Sequence, residues 1–582
     1  MSASPCPTPV QSEESANERG SITVVGLDLF GLVFALFFFA WSLSPSLLPR
    51  DWLFQGIISG VTSVSGYGAG LLLAFPLRRW VEPLVFWCTQ QRRFQVVADT
   101  IGIVLALSTV VATLLVAGNW QRDIDTLMGM PPMVTVAYLR TGVVSVAIFV
   151  TVPGLSRGLR RAARWIARLL SERLRVPPAV AHASAPVVVA VAVAAVVNEV
   201  ILTGSSEAAR RVFGAQNNGT QPGVVQPFEA ERSGSPESAS RWETLGLQGR
   251  SFVAGGVGPA ELAKINGGRA QVPVRVYAGL ESAPDTAARV RLILDELDRT
   301  RAWDRRILVV AGATGTGWIN PVAAESIELM YNGDSAIAAM QYSFLPSWIS
   351  FLVDRSAATA VGDALITAIH QRWSEMPEDR RPRLVVYGES LGSQSAEAAY
   401  GDLSDLRRSV DGALFVGPPN SNRLWRDVED RRDPGTTEVL PTYAGGLVVR
   451  FASNRNNLAV LGTNSPHAIT EPWLQPRVLY LQHASDPIVW WSPELLWSRP
   501  DWLAEAPGDD RIGAMRWYPI VTFWQVTADL TRAQSQPPGY GHNYDDLIPY
   551  ALAAVAAPPG WTAADTQRVS QTLEADAPNR SR

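Results

Sequence analysis

Five long apolar runs crowd the first third of the chain, near residues 22–43, 54–76, 96–118, 135–155 and 183–204. Each approaches or exceeds the roughly 20 residues that an apolar helix needs to cross a bilayer core. The pattern therefore predicts a multi-span helical membrane domain over 21–205, with Arg140 interrupting the fourth run. Behind it, 155–175 sets Leu155, Leu159, Ala162, Ile166 and Leu169 on one helical stripe and covers the other face with arginines. That distribution reads as a helix lying on an anionic leaflet; the alternative is a continuation of the fourth span. From 206 to 248 the chain turns polar and rich in Gly, Ser, Asn, Gln and Pro, the composition of a partly disordered linker. From 249 to 560 the period changes. Short β-rich runs at 272–277, 306–311, 383–387, 413–416 and 477–481 alternate with helical periodicity at segments such as 285–299 and 355–373. Near-continuously apolar strands must be covered on both faces, so the expected fold is an α-helical membrane domain plus an α/β domain with a doubly wound, mostly parallel sheet. The ends, 1–20 and 561–582, read as polar tails.

Arginine placement predicts an orientation. The loop after the second run carries Arg78, Arg79, Arg92 and Arg93, and the one after the fourth carries Arg157, Arg160, Arg161, Arg164, Arg168, Arg173 and Arg175. The opposite loops offer Arg50 and Arg122. Cytoplasmic loops collect arginine, so the N-terminus is expected inside the cell membrane and, with five spans, the large domain outside it. An acidic flank (Glu13, Glu14, Glu18) and four further runs separate the first run from a cleaved signal peptide. Within the spans, Asp28 is expected near an interface, and Arg140 is expected to pair with Glu199. The pairs Gly56/Gly60 and Gly66/Gly70 have the spacing of close helix contacts.

Composition narrows the chemistry. Charged residues make up 18% of the 582, with 50 basic against 54 acidic and a single lysine, Lys264. Phosphate backbones demand clustered cation excess, so no nucleic-acid partner is expected. Two cysteines, Cys6 and Cys88, supply neither a disulfide framework nor a Cys-rich zinc site, and no metal or cofactor is expected.

The candidate chemistry centres on Gly388-Glu389-Ser390-Leu391-Gly392. A β-run leads in and a small-residue helix start leads out, the strand–turn–helix of a nucleophile elbow; a structural serine between two turn glycines is the plainer alternative. A serine hydroxyl needs a base oriented by a carboxylate, expected in the chain order Ser, acid, His. Asp486, in Ser485-Asp486-Pro487 after the run 477–481, fits the acid, with an Asx-turn as its structural alternative. Five histidines exist, and His182 and His370 precede the serine. His542, in the glycine-rich loop 538–544, is the candidate base; His483 and His467 are the alternatives. Two backbone N–H donors are needed for an oxyanion: Leu391, and one from Gly312–Trp318, with Thr314 preferred and Thr316 second. No Gly-Lys-Ser/Thr follows that loop, so it is not a phosphate cradle.

The segments TGTGW (314–318), QYSFLPSW (341–348), GESLG (388–392), VGPP (416–419), YLQHASDPI (480–488), RWYP (516–519) and GYGHNY (539–544), with SLSPSLLPR (42–50), resemble the bacterial α/β-hydrolase family nine. The resemblance spans about residues 25–560. It implies a membrane-anchored serine hydrolase of the α/β-hydrolase type with Ser390, Asp486 and His542 as triad, and names no substrate. One departure from the general hydrolase pattern is that 519–533 looks helical where a last strand would stand. Aromatic residues clustered in 473–524 fit core packing, an apolar acyl pocket or a membrane-facing rim. The expected activity is esterase- or lipase-like, on an acyl-ester or lipid substrate among membrane lipids. The same triad would serve an acyltransferase modifying envelope lipid or glycan. A non-catalytic membrane scaffold or transporter is a third reading, against which the joint presence of Ser, Asp and His argues.

Overall fold

The computed structural model describes residues 23–24, 27–89, 92–132, 137–196, 204–346, 349–351, 355–459 and 472–577. Five helices open it: α1 (Leu29–Ser42), α2 (Trp52–Thr89), α3 (Arg92–Leu127), α4 (Ala137–Arg173) and α5 (Pro178–Val196). Three contain stretches long and apolar enough to cross a membrane, Trp52–Phe75, Val104–Leu127 and Arg140–Arg173; α1 and α5 are apolar but shorter. Helices α2, α3 and α4 run 38, 36 and 37 residues. At a rise of about 1.5 Å per residue each is about 55 Å long, well beyond the roughly 30 Å of a bilayer core. The arginine-bearing segment 155–175 is therefore the continuation of α4, not a separate surface helix. Pro153 sits inside α4 without ending it, and the Leu, Ala and Arg that follow are strong helix formers.

Small residues set the spacing of these helices. An added Cβ at Gly56 or Gly60 of α2 would lie 2.7 Å from the Cβ of Val144 or Ile148 on α4. Farther along α2, Gly66 and Gly70 would meet the carbonyl oxygens of Phe34 and Phe30 on α1, again at 2.7 Å. The glycines are packing positions, where backbones touch because side chains are missing. Asp28 caps α1, accepting the Gly31 N–H at 3.1 Å. Arg140 lies 5.6 Å over the Trp52 ring, while its expected partner Glu199 falls outside the described residues.

The α/β domain is built on seven parallel strands: β1 (Val274–Ala278), β2 (Ile307–Gly312), β3 (Ser335–Met340), β4 (Arg383–Glu389), β5 (Gly412–Val416), β6 (Val449–Ala452) and β7 (Arg477–Leu481). Their order across the sheet is β1-β3-β2-β4-β5-β7-β6. Periodicity did not single out β3 and β6, because β3 is rich in alanine, a weak strand former, and β6 has four residues. Helices cover both faces. Val290 and Ile293 of α7 (Thr286–Arg299) and Leu365 and Ile369 of α9 (Arg355–Ser374) pack on Val276, Leu308 and Val386. Ile327 of α8 (Pro321–Met330) and Leu552 of α12 (Ile548–Ala556) pack on Val309, Val385 and Tyr387. The doubly wound parallel sheet expected from the apolar runs is the one present.

Two polar stretches are more ordered than their composition suggests. Within 206–248, helix α6 (Gly204–Asn217) is followed by an extended segment lying along β1, with Ser233 N–H donating to Arg275 O at 3.0 Å. Ser233 Oγ, Ser238 Oγ and Ala239 N–H then donate to the buried Glu296 carboxylate at 3.0, 2.7 and 2.9 Å. The serines satisfy a buried charge instead of facing solvent. At the C-terminus, α13 (Ala563–Asp576) starts on a Thr562/Asp565 capping box and buries Val569 and Leu573. In the aromatic cluster, Trp490 and Trp502 are fully buried and Trp491 nearly so, whereas Trp497 is 65% exposed. Core packing accounts for most of it.

The helical region and the α/β domain share one core. Leu47 and Leu48 from the α1–α2 loop, with Ile124 and Met128 from the end of α3, join Phe351, Trp491 and Leu530 in a single apolar cluster. Gly70→Val would force α1 and α2 apart and is expected to destabilise the detergent-solubilised protein by about 1–3 kcal/mol. A thermal midpoint equal to that of the unaltered chain would contradict the close α1–α2 contact.

Candidate active site

Strand β4 ends on Glu389, Ser390 turns at φ +56° and ψ −130°, and α10 (Leu391–Glu397) begins at the next residue. A non-glycine residue held at positive φ costs on the order of 1–3 kcal/mol, so its surroundings must enforce it. They do so by backbone contact. A Cβ at Gly388 would lie 2.4 Å from Gly392 O, and one at Gly392 only 2.2 Å from Gly312 O. The start of α10 is thus pressed against the end of β2, which only glycine permits. Ser390 N–H donates to Val416 O at 2.9 Å, and Ser390 O accepts from Ser393 N–H and Oγ at 2.9 and 2.6 Å.

Asp486 caps the short helix after β7, its Oδ1 accepting the Ile488 N–H at 2.8 Å. Its Oδ2 lies 2.6 Å from His542 Nδ1 and accepts the Tyr544 hydroxyl at 2.7 Å. The His542 N–H is itself held by Ala533 O at 2.8 Å. Gly417 follows Val416 at φ +52°, and a Cβ there would be 2.3 Å from His542 Cε1 and 3.0 Å from Asp486 Oδ2. The imidazole therefore lies on the same strand end that receives the Ser390 N–H. His542 Nε2 is buried and hydrogen-bonds to no group among the described residues. Ser390, Asp486 and His542 are each 2% exposed or less.

The other histidines stand elsewhere. His483 stacks on Tyr544 (4.0 Å, 8°) with Nδ1 2.8 Å from Gly541 O, bracing the 539–544 loop. His370 packs beside Trp373 on α9, His182 is exposed on α5 with Nδ1 2.8 Å from Pro178 O, and His467 lies outside the described residues. Of the two oxyanion candidates, Leu391 opens α10, where an N–H has no intrahelical acceptor. Thr314 is differently placed from expectation: its N–H closes a turn onto Trp318 O at 3.1 Å, with Gly317 N–H returning to Thr314 O at 2.9 Å. The second-choice Thr316 turns its carbonyl to Gln341 Nε2 at 3.0 Å. Ala313, one residue nearer the strand, borders Gly392 through its backbone, as Gly312 does. Among the described residues, no group of three or more His, Cys, Asp or Glu is placed to hold a metal ion.

Charge is arranged around the imidazole. Burial works against its protonated form, but the carboxylates of Asp486 and Glu389 outweigh burial and hold its pKa above the ordinary value. For Asp486, burial is outweighed by the His542 charge and by hydrogen bonds from His542, Tyr544 and Ile488, so its pKa is lowered. The raised His542 stabilises the fold at acid pH and ceases to as pH rises through its pKa; the lowered Asp486 does the reverse as pH falls. Their joint contribution is largest between the ordinary carboxylate and imidazole ranges. Glu389 is raised by burial, with Asp545 adding to it and His542 opposing, and is bonded by Asn320 Nδ2 and the Tyr387 hydroxyl, both at 2.9 Å. Asn320 also donates to Asp545 at 3.0 Å.

Tyr544, Gly417, Glu389 and Asn320 were not singled out from the sequence. The first three fall inside the motifs GYGHNY, VGPP and GESLG, but only their spatial neighbours reveal what they do. Gly417→Ala would combine a left-handed φ with a clash against the ring. It is expected to lower unfolding free energy by about 1–3 kcal/mol in denaturant titration, and an unshifted midpoint would contradict that contact.

A model of an alpha/beta-hydrolase family matches residues 274–569, spanning the whole sheet. A model of an alpha/beta-hydrolase family N-terminus matches residues 43–257, spanning α2–α5 and the polar segment packed on β1. Searches of curated proteins and of solved structures returned no match. By sequence over most of its length, and by its seven-stranded parallel sheet flanked by helices, the chain belongs to the α/β-hydrolase family nine.

Proposed function

We propose that the protein is a membrane-anchored serine hydrolase that cleaves acyl esters of lipid-like substrates through an acyl-enzyme. The observation carrying this reading is the 2.6 Å contact between Asp486 and His542 Nδ1. An ionised Asp486 can only accept there, which puts a proton on Nδ1 and leaves Nε2 as the acceptor for the Ser390 proton. In the reaction, Nε2 takes the proton of Ser390 Oγ as that oxygen attacks the ester carbonyl carbon. Leu391 N–H and, in place of Thr314, Ala313 N–H receive the negative charge on the carbonyl oxygen. His542 returns the proton to the departing alkoxide as the C–O bond breaks. Water, deprotonated by the same nitrogen, then releases the acid and frees Ser390. Asp486 stays ionised throughout and stabilises the imidazolium.

The near-complete burial of the three side chains also favours a second outcome, transfer of the acyl group to an alcohol that displaces water from the site. Product analysis separates the two: free acid marks the hydrolase, a new ester the transferase.

Placement outside the cell membrane, with a cytoplasmic N-terminus, is supported by two loops. Those after α1 and α3 are poor in arginine and pack against the α/β domain. In an alternating five-helix arrangement they share a side with everything after α5.

Membranes treated with a fluorophosphonate probe are expected to show labelling of the full-length chain that disappears in Ser390→Ala. An unlabelled, folded wild-type chain would overturn the enzymatic reading. Labelling rate should rise with pH on an acid limb lying above the ordinary imidazole pKa. Tyr544→Phe removes a donor from Asp486 and leaves more of its charge acting on the ring. That limb should then move to higher pH, with a rate about 10-fold lower; an unmoved limb would contradict the role of the tyrosine.

A further inference from the structure

Asp529 ends α11 (Val521–Asp529), in the stretch of chain between the acid and the base of the proposed triad. Its carboxylate is buried, and the groups that bond it come from the loop joining α1 to α2. Arg50 Nε lies 2.8 Å from Oδ1 and Nη2 3.3 Å from Oδ2, while Ser46 Oγ and Leu47 N–H reach Oδ2 at 2.5 and 3.2 Å. One turn earlier, Gln525 Nε2 donates to Ser42 O and Ser44 O at 3.2 and 3.0 Å. The Tyr518 ring stacks on Trp41 at 5.0 Å and 14°. Leu47 and Leu48, both 1% exposed or less, carry the loop into the core that holds Leu530 and Ala533.

On its far side the same stretch holds the base. The turn Leu530–Ser535 presents Ala533 O to the His542 N–H at 2.8 Å, and Gln536 O accepts Asn543 Nδ2 at 2.7 Å. A Cβ on the intervening Gly541 would come within 2.9 Å of Ala533 O, so loop and turn are packed without slack. From Arg50 to the backbone of His542 the path is one ion pair, one helical turn and one hydrogen bond.

Resting on the serine-hydrolase reading above, we infer that Arg50 and Asp529 are positioning residues for His542. The loop 43–50 between the first two apolar helices is thereby a structural part of the active site. A buried carboxylate keeps its place only while its donors remain. Without the loop, the end of α11 carries an unpaired charge and must rearrange, taking Ala533 and the His542 backbone with it. The α/β domain is then competent only while docked on the helical region, which confines acyl transfer chemistry to the membrane. The imidazole faces Asp486 and Glu389, so a change in its position changes the field it feels and its titration.

The test uses the full-length chain in nanodiscs, with fluorophosphonate labelling of Ser390 followed across pH. Asp529→Asn and Arg50→Gln are expected to label about 10- to 100-fold more slowly than wild type, because small misplacements of a catalytic group cost that much. Their acid limb should shift to lower pH as His542 loosens from Asp486. A loss of folded material alone would reduce the labelled fraction without moving that limb. Ser46→Ala, which removes a single donor and spares the ion pair, serves if either variant fails to fold, and should shift rate and limb in the same directions by less. Folded variants that label at the wild-type rate with an unmoved limb overturn the inference while leaving the hydrolase reading intact. A wild-type chain that does not label at Ser390 overturns both.

Discussion

An imidazole and a carboxylate, both sealed from water, face each other at 2.6 Å at the carboxyl edge of the sheet, and much of the α/β domain is arranged to keep them there. Burying an ionisable pair is costly unless every remaining lone pair and proton finds a partner. Here the Tyr544 hydroxyl and the Ile488 N–H complete Asp486, Ala533 O holds the His542 backbone, and the bare backbone of Gly417 leaves room for the ring. The exception is Nε2, which hydrogen-bonds to no group among the described residues. Glu389, bonded by Asn320, is a second carboxylate whose charge acts on the ring.

The elbow at Ser390 follows from a different constraint, the distance between backbones. Gly312, Gly388 and Gly392 meet where any side chain would collide, and that contact holds Ser390 at a positive φ against its own preference. Strain of this kind persists only where the surroundings over-determine it. Here they consist of a parallel strand on each side and the start of α10. The same contact brings Ala313 beside the N-terminus of α10, whereas the Thr314 N–H is spent inside its own turn. A glycine-rich loop thus marks a close approach of backbones without identifying which residue makes it.

Helical region and α/β domain meet through polar groups as well as apolar ones. Arg50 and Asp529 form an ion pair that is almost fully buried, and removing one partner of such a pair leaves the other as an uncompensated buried charge. Around it, Leu47, Leu48, Ile124 and Met128 make the two regions continuous in their packing. The long helices α2–α4 exceed a bilayer core by about 25 Å each on the 1.5 Å rise. The glycines of α2 let α1 and α4 close on it.

Composition and period by themselves determined the helical first third and the parallel α/β domain, while motif context and chain order nominated Ser390, Asp486 and His542 as candidates. These features depend on local properties: run length, strand period, and turn chemistry around a short motif. The strands Ser335–Met340 and Val449–Ala452 escaped because alanine and brevity leave little periodic signal. The segment 206–248 looked like a linker because its serines are polar, but their hydroxyls satisfy Glu296, a partner found only once β1 and α7 are packed together. Which histidine faces which carboxylate, which glycine admits the ring, and which loop holds Asp529 were decided by the tertiary structure. The reason is physical: each is a contact between positions distant in sequence (Arg50 and Asp529 above all), and one-dimensional patterning carries no information about which distant neighbours will meet.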